Sequence, residues 1–358
     1  MYRDITLEDA LALENKLLID VRSEKEYAED TIPGAVNIPV LNNEERASVG
    51  LTYRQDGPAT AVRMGLSLVS PVLSEKLAAI DSLAAGRNLV VFCWRGGQRS
   101  QFMASVLDTV GYLVYRVEGG YKAYRNYVNR YLSRQGLPLW VVVLHGLTGV
   151  GKTEVLAGLA RKGIPVLDLE GLARHRGSVY GKIGLPPSPT QKAFESSIVQ
   201  ILLKASAKGV FVVECESRRL GNLLVPPLVM DFIRQGSRLL LYASMADRVR
   251  RIIADYTCGP DHHIDELQQA TAALVKILGK ARVAELNEMI ARKEFARAFA
   301  YLLEYHYDPL YQYPAAPSAD FELCVDTAEI EAAVKIIADF IEARLEKPAP
   351  VAPPQIPG

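Results

Sequence analysis

A cysteine followed by two glycines and flanked by arginines stands where an apolar run ends. The segment FCWRGGQRS spans residues 92–100 and leads into a predicted helix over 98–110. Free backbone N–H groups in such a loop, together with the start of the helix, stabilise a sulfur anion. Cys93 is therefore a candidate reactive thiolate, with Arg95 and Arg99 as its cationic neighbours in sequence. The alternative is a small hydrophobic side chain packed at a strand end, which is the usual role of a buried cysteine.

A second candidate site is the segment GLTGVGKT at residues 146–153, which fits the pattern G-x-x-x-x-G-K-[ST]. It directly follows a predicted strand over 140–144 and precedes a predicted helix over 153–161, which is the context that this motif requires. Its backbone N–H groups would surround phosphate oxygens, its lysine would reach the terminal phosphate, and its threonine would ligate Mg²⁺. The candidate phosphate-binding residues are Gly146, Gly149, Val150, Gly151, Lys152 and Thr153.

Carboxylates and basic residues follow the phosphate loop in sequence. A predicted strand, GVFVVECES, ends in Glu214 and Glu216, where P-loop proteins usually keep a carboxylate for a metal ion or water. Between the two strands, residues 171–194 contain no acidic residue. We interpret this segment as a flexible basic loop that contacts phosphate or RNA, with a plain solvated loop as the alternative. Its candidate contact residues, together with one arginine after the second strand, are Arg174, His175, Arg176 and Arg218.

Two α/β segments position these motifs. Short apolar strands that alternate with helices predict a mostly parallel sheet. In the first segment the strands are predicted at 17–21, 34–40, 89–93 and 112–117. A closing helix carries tyrosines at 121, 124, 127 and 131, whose helical spacing favours docking on the sheet over base stacking. A fresh strand after Gly136 and Pro138 predicts domains at 1–136 and 137–346, with a proline-rich, disordered tail at 347–358.

The second domain is predicted to be a P-loop α/β domain with extra C-terminal helices. Residues 264–307 have the mixed charge of helices, and a last strand and helix follow at FELCVD and AEIEAAVKIIADFIEARLE. Arginines at 248, 250 and 251 either extend a basic surface or form a salt-bridged helix face.

Composition limits the classes of function. The 41 Lys and Arg residues balance 41 Asp and Glu residues, so a nucleic-acid partner would have to bind a local basic patch. Four cysteines without metal-type spacing indicate free thiols in a reducing compartment. No apolar run approaches the roughly 18 residues of a membrane span. We expect a cytoplasmic protein that has no membrane partner.

Three separated segments of the first domain resemble the rhodanese family. They are DVRSEKEYAEDTIPGAVNIP at 20–39, the RGGQRS loop, and EGGYKAYR at 118–125. The resemblance implies a rhodanese-like parallel-sheet domain in which Cys93 carries a transferable sulfur or selenium atom. With DLEGLARHRGSVYGKIG and ECESRRLGNLLVPP in the second domain, the whole chain resembles the tRNA 2-selenouridine synthase family.

This second resemblance implies a specific reaction. Its partners would be a tRNA with 2-thiouridine at the wobble position, geranyl diphosphate and selenophosphate. The sulfur would first be geranylated, and selenium would then replace the geranylthio group. Lys152 would act on the departing diphosphate, and Cys93, Arg95 and Arg99 would serve the selenium step. Cys93 would either carry selenium covalently or help to expel the thiol. We expect no tightly bound cofactor, with Mg²⁺ on Thr153 as a possible exception.

Two other functions remain open at this point. The chain could be an ATP-dependent tRNA sulfurtransferase or kinase with a persulfide on Cys93, which would require ATPase activity. It could also be a non-catalytic sensor, in which one loop binds an oxyanion and the other a nucleotide.

Overall fold

The computed structural model describes residues 1–258 and 263–346, and the chain divides into two compact units. The first unit contains Met1–Ser133 together with Thr190–Ser196, and the second contains Arg134–Pro189 and the chain from Ser197 onward. The return of residues 190–196 to the first unit was not predicted. The tail at 347–358, predicted to be disordered, lies outside the described residues.

The first unit is built on a five-stranded parallel sheet in the order β1-β5-β4-β2-β3. Its strands are β1 Arg3–Ile5, β2 Lys16–Asp20, β3 Val36–Asn37, β4 Asn88–Phe92 and β5 Val114–Val117. Its helices are α1 Leu7–Ala12, α2 Glu24–Glu29, α3 Asn43–Gln55, α4 Pro58–Val69, α5 Leu73–Ala84, α6 Gln98–Thr109 and α7 Gly120–Leu132, with a 3₁₀ turn at Ser70–Val72. The strand predicted at 34–40 is reduced to two residues, and β1 and helices α3 to α5 were not predicted.

The apolar strands of this sheet explain the position of Cys93. Leu89, Val90, Val91 and Phe92 are fully buried, as expected of a strand covered on both faces. Because β2 and β4 are parallel and pair Asp20 with Phe92, Cys93 leaves the sheet at its carboxyl edge. Tyr121, Tyr124 and Tyr131 on α7 are at most 3% exposed, so interior packing is favoured over base stacking for these three side chains.

The second unit is built on a parallel sheet in the order β12-β11-β6-β8-β7. Its strands are β6 Trp140–His145, β7 Val166–Leu167, β8 Val210–Glu214, β11 Ser237–Tyr242 and β12 Leu323–Asp326, with a separate antiparallel pair, β9 Arg219–Leu220 and β10 Leu223–Leu224. The α/β fold class with two parallel sheets is therefore confirmed.

Helices cover this sheet and extend beyond it. They are α8 Lys152–Arg161, α9 Leu169–Ala173, α10 Gln191–Lys208, α11 Pro227–Gln235, α12 Met245–Tyr256, α13 Ile264–Ala272, α14 Val275–Leu278, α15 Lys280–Ala291, α16 Phe295–Leu302, a π-helical turn Leu303–Tyr307, α17 Asp308–Tyr311 and α18 Ile330–Leu345. Helices α12 to α16 share an apolar cluster of their own, distinct from the one between the sheet, α8 and α18. Within the described residues, no helix is both long enough and apolar enough to cross a membrane.

Candidate functional site

The phosphate loop joins the end of β6 to the start of α8. At Gly146 φ is +145°, and a Cβ atom would lie 2.4 Å from the carbonyl oxygen of Leu241, so only glycine fits. Gly151 precedes α8 with a left-handed φ of +89°. The Lys152 Nζ donates a hydrogen bond to the carbonyl oxygen of Gly146 at 3.1 Å, which folds the side chain back over the loop. A phosphate bound by the loop would thus meet the ammonium group and the N–H groups together.

Two buried arginines on α12 donate hydrogen bonds to carbonyl oxygens of the phosphate loop. The Nε of Arg248 donates to the carbonyl oxygen of Thr148 at 2.8 Å, and its guanidinium pairs with Asp308. Arg251 is 9% exposed and donates to the carbonyl oxygen of Gly149 at 3.4 Å. Arg251 also pairs with Glu154 at 3.8 Å, so all three arginines form ion pairs, and Arg250, paired with Asp247, is the exposed one among them. The interpretation of Arg248 as part of a basic surface is therefore wrong, because this side chain is buried against the phosphate loop.

A cavity of about 540 Å³ opens beside the phosphate loop. One part of its wall carries the loop with Lys152, Thr153, Arg174, Arg176 and Glu216. Polar side chains of Glu154, Glu170, Ser178, Cys215, Arg251 and Asp255 also line it. The apolar and aromatic part of the wall is formed by Tyr180, Ile252, Tyr256, Phe299, Leu302, Leu303 and Tyr307 from the cluster around α12 and α16, together with Leu185, Pro186, Tyr311 and Tyr313. The cavity therefore combines an anion-binding end with a hydrophobic wall.

The basic candidates after α9 have different positions. Arg174 lines the cavity and donates to the carbonyl oxygen of Pro187, and Arg176 lines it with its guanidinium 5.1 Å from the ring centre of Tyr256. His175 is buried, and its Nδ1 accepts a hydrogen bond from the N–H of Gly177 at 3.1 Å. Arg218 is exposed and does not line the cavity. The structure therefore brings two of the four candidates to the phosphate loop.

The segment at residues 171–194 is partly buried in the interior of the second unit. Tyr180 is 1% exposed and Ile183 is 6% exposed, and both belong to the apolar cluster that borders the cavity. The alternative of a plain solvated loop is therefore wrong for these two side chains, because they anchor the segment in the interior of the second unit.

Carboxyl groups gather where β7 and β8 end. Glu214 is fully buried and pairs in register with Leu144, two residues before the phosphate loop. Its Oε1 accepts a hydrogen bond from the N–H of Glu170, and its Oε2 has no partner within the described residues. Burial raises the pKa of Glu214 to about 8, and the charges of Asp168 and Glu216 act in the same direction. We infer that Glu214 holds a proton at neutral pH, whereas Glu216 faces the cavity.

The buried carboxyl of Glu214 predicts a pH dependence of stability. A carboxyl in the unfolded chain has a pKa of about 4.3. Because the folded chain raises the pKa of Glu214 to about 8, it binds more protons than the unfolded chain across this window. Stability should therefore fall as pH rises from about 5 to about 8. In Glu214→Gln the fall should be smaller, and at about pH 8 the variant should unfold at a higher temperature than the wild type.

Thermal unfolding across this pH window measures the effect. Burial also raises the pKa of Asp168, Glu170 and Glu216, so the variant should retain part of the slope. Glu75→Gln, at an exposed position, is the control and should keep the wild-type slope. An equal slope in Glu214→Gln and the wild type would contradict a protonated Glu214.

The cysteine loop of the first unit is held by close backbone contacts. Cys93 is 4% exposed, and its Sγ accepts a hydrogen bond from the Oγ of Ser100 at 3.2 Å. The carbonyl oxygen of Cys93 accepts from the N–H of Tyr121 at 2.8 Å. At Gly120 φ is +54°, and a Cβ atom would lie 2.2 Å from that carbonyl oxygen, so α7 can approach the loop only through glycine. This packing fixes the sulfur atom between β4 and α6.

The two arginines of this loop differ in their surroundings. Arg99 pairs with Glu26 at 2.7 Å, so its guanidinium is already neutralised by a carboxylate. Arg95 is exposed at the turn that follows the cysteine. A role of either side chain in binding an anion stays a prediction. Of the two, Arg95 is the one with no ion pair in the described part of the chain.

Comparison with known proteins identifies the family of this chain. Residues 6–127 match the rhodanese-like domain family, and residues 139–339 match the family described as tRNA 2-selenouridine synthase AAA domain. A tRNA 2-selenouridine synthase from Pseudomonas putida F1 is 34% identical over 368 residues, covering 94% of this chain and 98% of the relative. The chain belongs to the tRNA 2-selenouridine synthase family.

Other comparisons add little to this assignment. The tRNA 2-selenouridine synthase of Sulfurovum sp. NBC37-1 is 32% identical over 355 residues, covering 91% of this chain and 96% of the relative. Among solved structures, a shikimate kinase from Acinetobacter baumannii in complex with shikimate is 14% identical, covers 62% of this chain and 99% of its own, and has a TM-score of 0.26.

A metal ion at the phosphate loop would rely on few protein ligands. Within residues 1–258 and 263–346, no group of three or more His, Cys, Asp or Glu side chains is placed to hold a metal ion. Thr153 and Glu216 do line the cavity together. A hydroxyl, one carboxylate and substrate phosphates are a donor set that suits Mg²⁺, which keeps several waters. Binding of Mg²⁺ at Thr153 therefore stays a prediction, and the side chains of Thr153 and Glu216 are of the kind that Mg²⁺ prefers.

Several carboxyl and aromatic residues at the cavity of this family member were not predicted from sequence. Glu170 lines the cavity beside Glu216, and Asp168 shares its buried carboxyl environment. Both could have been predicted from the segment DLE at 168–170, which directly follows an apolar strand, because carboxylates at the carboxyl ends of parallel strands lie at the same edge of the sheet. The aromatic wall, including Tyr311, had no local signal, because its residues come from segments more than 100 positions apart.

Proposed function

We propose that this chain converts 2-thiouridine at the wobble position of tRNA into 2-selenouridine, through an S-geranyl intermediate, with geranyl diphosphate and selenophosphate as substrates. The observation that carries the proposal is the composition of the cavity wall. A phosphate loop with Lys152 and a wall of buried apolar side chains border the same space of about 540 Å³. An allylic diphosphate has the same two parts, a strongly charged head and a hydrocarbon chain.

The apolar wall runs away from the phosphate loop along α12. Ile252 contacts the loop, because a Cβ atom at Gly149 would lie 3.1 Å from its side chain. Tyr256 follows one helical turn later, about 6 Å along the axis, and its ring centre lies 6.1 Å from that of Phe299. These side chains are at most 7% exposed, so a hydrocarbon chain laid along them would be removed from water. Such a wall would hold a prenyl chain through apolar contacts.

The first step would transfer the geranyl group. The thiocarbonyl sulfur of the base attacks C1 of geranyl diphosphate, the C1–O bond breaks, and diphosphate leaves. The N3 proton of the base is released, so the product is neutral S-geranyl-2-thiouridine. Negative charge grows on the departing oxygen, where the loop N–H groups and Lys152 would neutralise it. Mg²⁺, if bound at Thr153, would supply further neutralisation of the diphosphate.

The second step would exchange sulfur for selenium. Alkylation activates C2 for nucleophilic attack. It also improves the leaving group, because geranylthiol departs more readily than sulfide. Selenium of selenophosphate forms a bond to C2, and the C2–S bond breaks to release geranylthiol. Water then cleaves the Se–P bond, giving phosphate and the selenocarbonyl, while its two protons go to N3 and to the thiol. We assign this step to the Cys93 loop, where the Cys93 thiol would assist the departure of geranylthiol.

Purified protein incubated with thiolated tRNA, geranyl diphosphate and selenophosphate tests this proposal. The tRNA is then digested and its nucleosides are identified by mass. Omission of selenophosphate should leave S-geranyl-2-thiouridine, and omission of geranyl diphosphate should leave 2-thiouridine unchanged. Selenouridine formed without geranyl diphosphate, or formation that requires ATP, would contradict the proposal and favour an ATP-dependent transferase.

A further inference from the structure

A short segment after the π-helical turn carries two tyrosines whose rings are nearly parallel. Tyr311 ends α17, Gln312 follows, and Tyr313 comes next. The ring planes of Tyr311 and Tyr313 differ by 15°, with their centres 6.4 Å apart. Both side chains line the cavity beside the phosphate loop. The segment therefore presents aromatic surface at the place where the proposed transfer would occur.

The backbone of this segment is held in an unfavourable conformation. Gln312 has φ +54°, a left-handed region that non-glycine residues adopt rarely. Contacts on both sides stabilise it. Asp308, at the start of α17, pairs with Arg248 beneath the phosphate loop. The Tyr313 hydroxyl donates to the Sγ of Cys215 at 3.3 Å and lies 3.3 Å from the Nδ1 of His145. Such strain persists only where surrounding contacts determine it, and it is common at functional sites.

Tyr311 differs from the other aromatic residues of the cavity in its exposure. Its side chain is 42% exposed, whereas Tyr180, Tyr256, Phe299 and Tyr307 are at most 8% exposed. Tyr313 is of intermediate exposure and is tied to Cys215. Of these six aromatic side chains in the described part of the chain, Tyr311 is thus the one that both borders the cavity and faces solvent. It marks the position at which a large ligand could enter from outside.

We propose that Tyr311 is the stacking platform for the thiolated base as it enters the cavity. The inference rests on the proposed geranyl transfer, which requires the base and the diphosphate in one space. A base that is to react must leave the stack of its neighbours, and an exposed aromatic ring replaces the contact that it loses. The held backbone around Gln312 fixes the ring before the base arrives. Tyr311 is accordingly a positioning residue for the RNA substrate.

The chain offers a matched control six residues earlier. Tyr305 is 57% exposed, but its ring packs on Tyr301 at 4.6 Å and it does not line the cavity. Tyr305→Ala therefore removes an equally large exposed ring from the same helical region without touching the proposed platform.

Binding of two anticodon stem-loops tests the inference directly. One carries 2-thiouridine at the wobble position, and the other is abasic there. The wild type should bind the thiolated RNA about tenfold more tightly, the gain that one base stacked on an aromatic ring provides. Tyr311→Ala should bind both RNAs equally, at the level of the wild type with the abasic RNA. Tyr311→Phe and Tyr305→Ala should keep the wild-type preference, and thermal unfolding confirms that each variant is folded.

Two results would overturn the inference. One is an undiminished preference for the thiolated RNA in Tyr311→Ala. The other is loss of the preference in Tyr311→Phe, which keeps the ring and lacks only the hydroxyl. Geranyl transfer, measured in parallel by nucleoside mass, separates this inference from the proposed function. If the wild type shows the base preference but forms no geranylated nucleoside, the proposed function fails while the platform stands.

Discussion

Replacement of Lys152 by alanine is expected to reduce geranyl transfer at least about 100-fold, the loss seen when one donor to a developing negative charge is removed. The Nζ of Lys152 lies 3.1 Å from the carbonyl oxygen of Gly146, inside the turn that would surround the diphosphate. Without the ammonium group, the charge that builds on the leaving oxygen loses the cation held against the loop, and the backbone N–H groups with Arg174 and Arg176 in the cavity wall stabilise it less. Single-turnover formation of S-geranyl-2-thiouridine, followed by nucleoside mass, measures the effect.

The matched control for this variant is Lys162→Ala, an exposed lysine directly after the same helix. It should transfer the geranyl group at the wild-type rate. Binding of the thiolated stem-loop should be unchanged in Lys152→Ala, because the lysine acts on the diphosphate. A wild-type transfer rate in Lys152→Ala would remove the phosphate loop from the reaction.

Cys93→Ser is expected to abolish selenium incorporation while leaving geranyl transfer largely intact. Serine fits the volume of cysteine and keeps the place beside Ser100, so the loop should remain folded. Its hydroxyl is not ionised near neutral pH, so serine cannot take over the role of the cysteine sulfur. Supplying tRNA that already carries S-geranyl-2-thiouridine, with selenophosphate alone, isolates the second step.

An exposed thiol in the second unit provides the comparison. Cys258→Ser should support both steps, because Cys258 is exposed and lies outside both candidate sites. Equal loss of both steps in Cys93→Ser would argue against separate roles for the two loops. Full selenium incorporation by that variant would exclude the Cys93 sulfur from the chemistry.

The parts of the site that could be predicted are those whose residues are contiguous. Gly146 to Thr153 form one loop in sequence and in space, so the pattern of glycines, lysine and threonine was enough to predict it. Cys93 at the end of an apolar strand was recognisable in the same way. Helix boundaries differ by one residue from those predicted at 98–110 and 153–161, which is the ordinary uncertainty of helix ends.

The support of the phosphate loop could not be predicted from sequence. Arg248 and Arg251 read as surface charges, since their burial depends on how α12 packs against a loop about 100 residues earlier. His175 lies beside two cavity arginines in sequence, yet its ring turns inward to accept a hydrogen bond from Gly177. Neighbours in a short irregular segment face different directions, and only the tertiary contacts decide which one reaches the cavity.

By itself, the sequence determined the two parallel-sheet units, the cysteine loop and the phosphate loop, because each depends on local spacing and on apolar strands of ordinary length. The tertiary structure alone decided that the phosphate loop borders an apolar wall, that Glu214 is buried while Glu216 faces the cavity, and that Tyr311 is exposed at its edge. These properties depend on which distant side chains exclude water from one another. Such exclusion is a result of packing, and no short stretch of sequence encodes it.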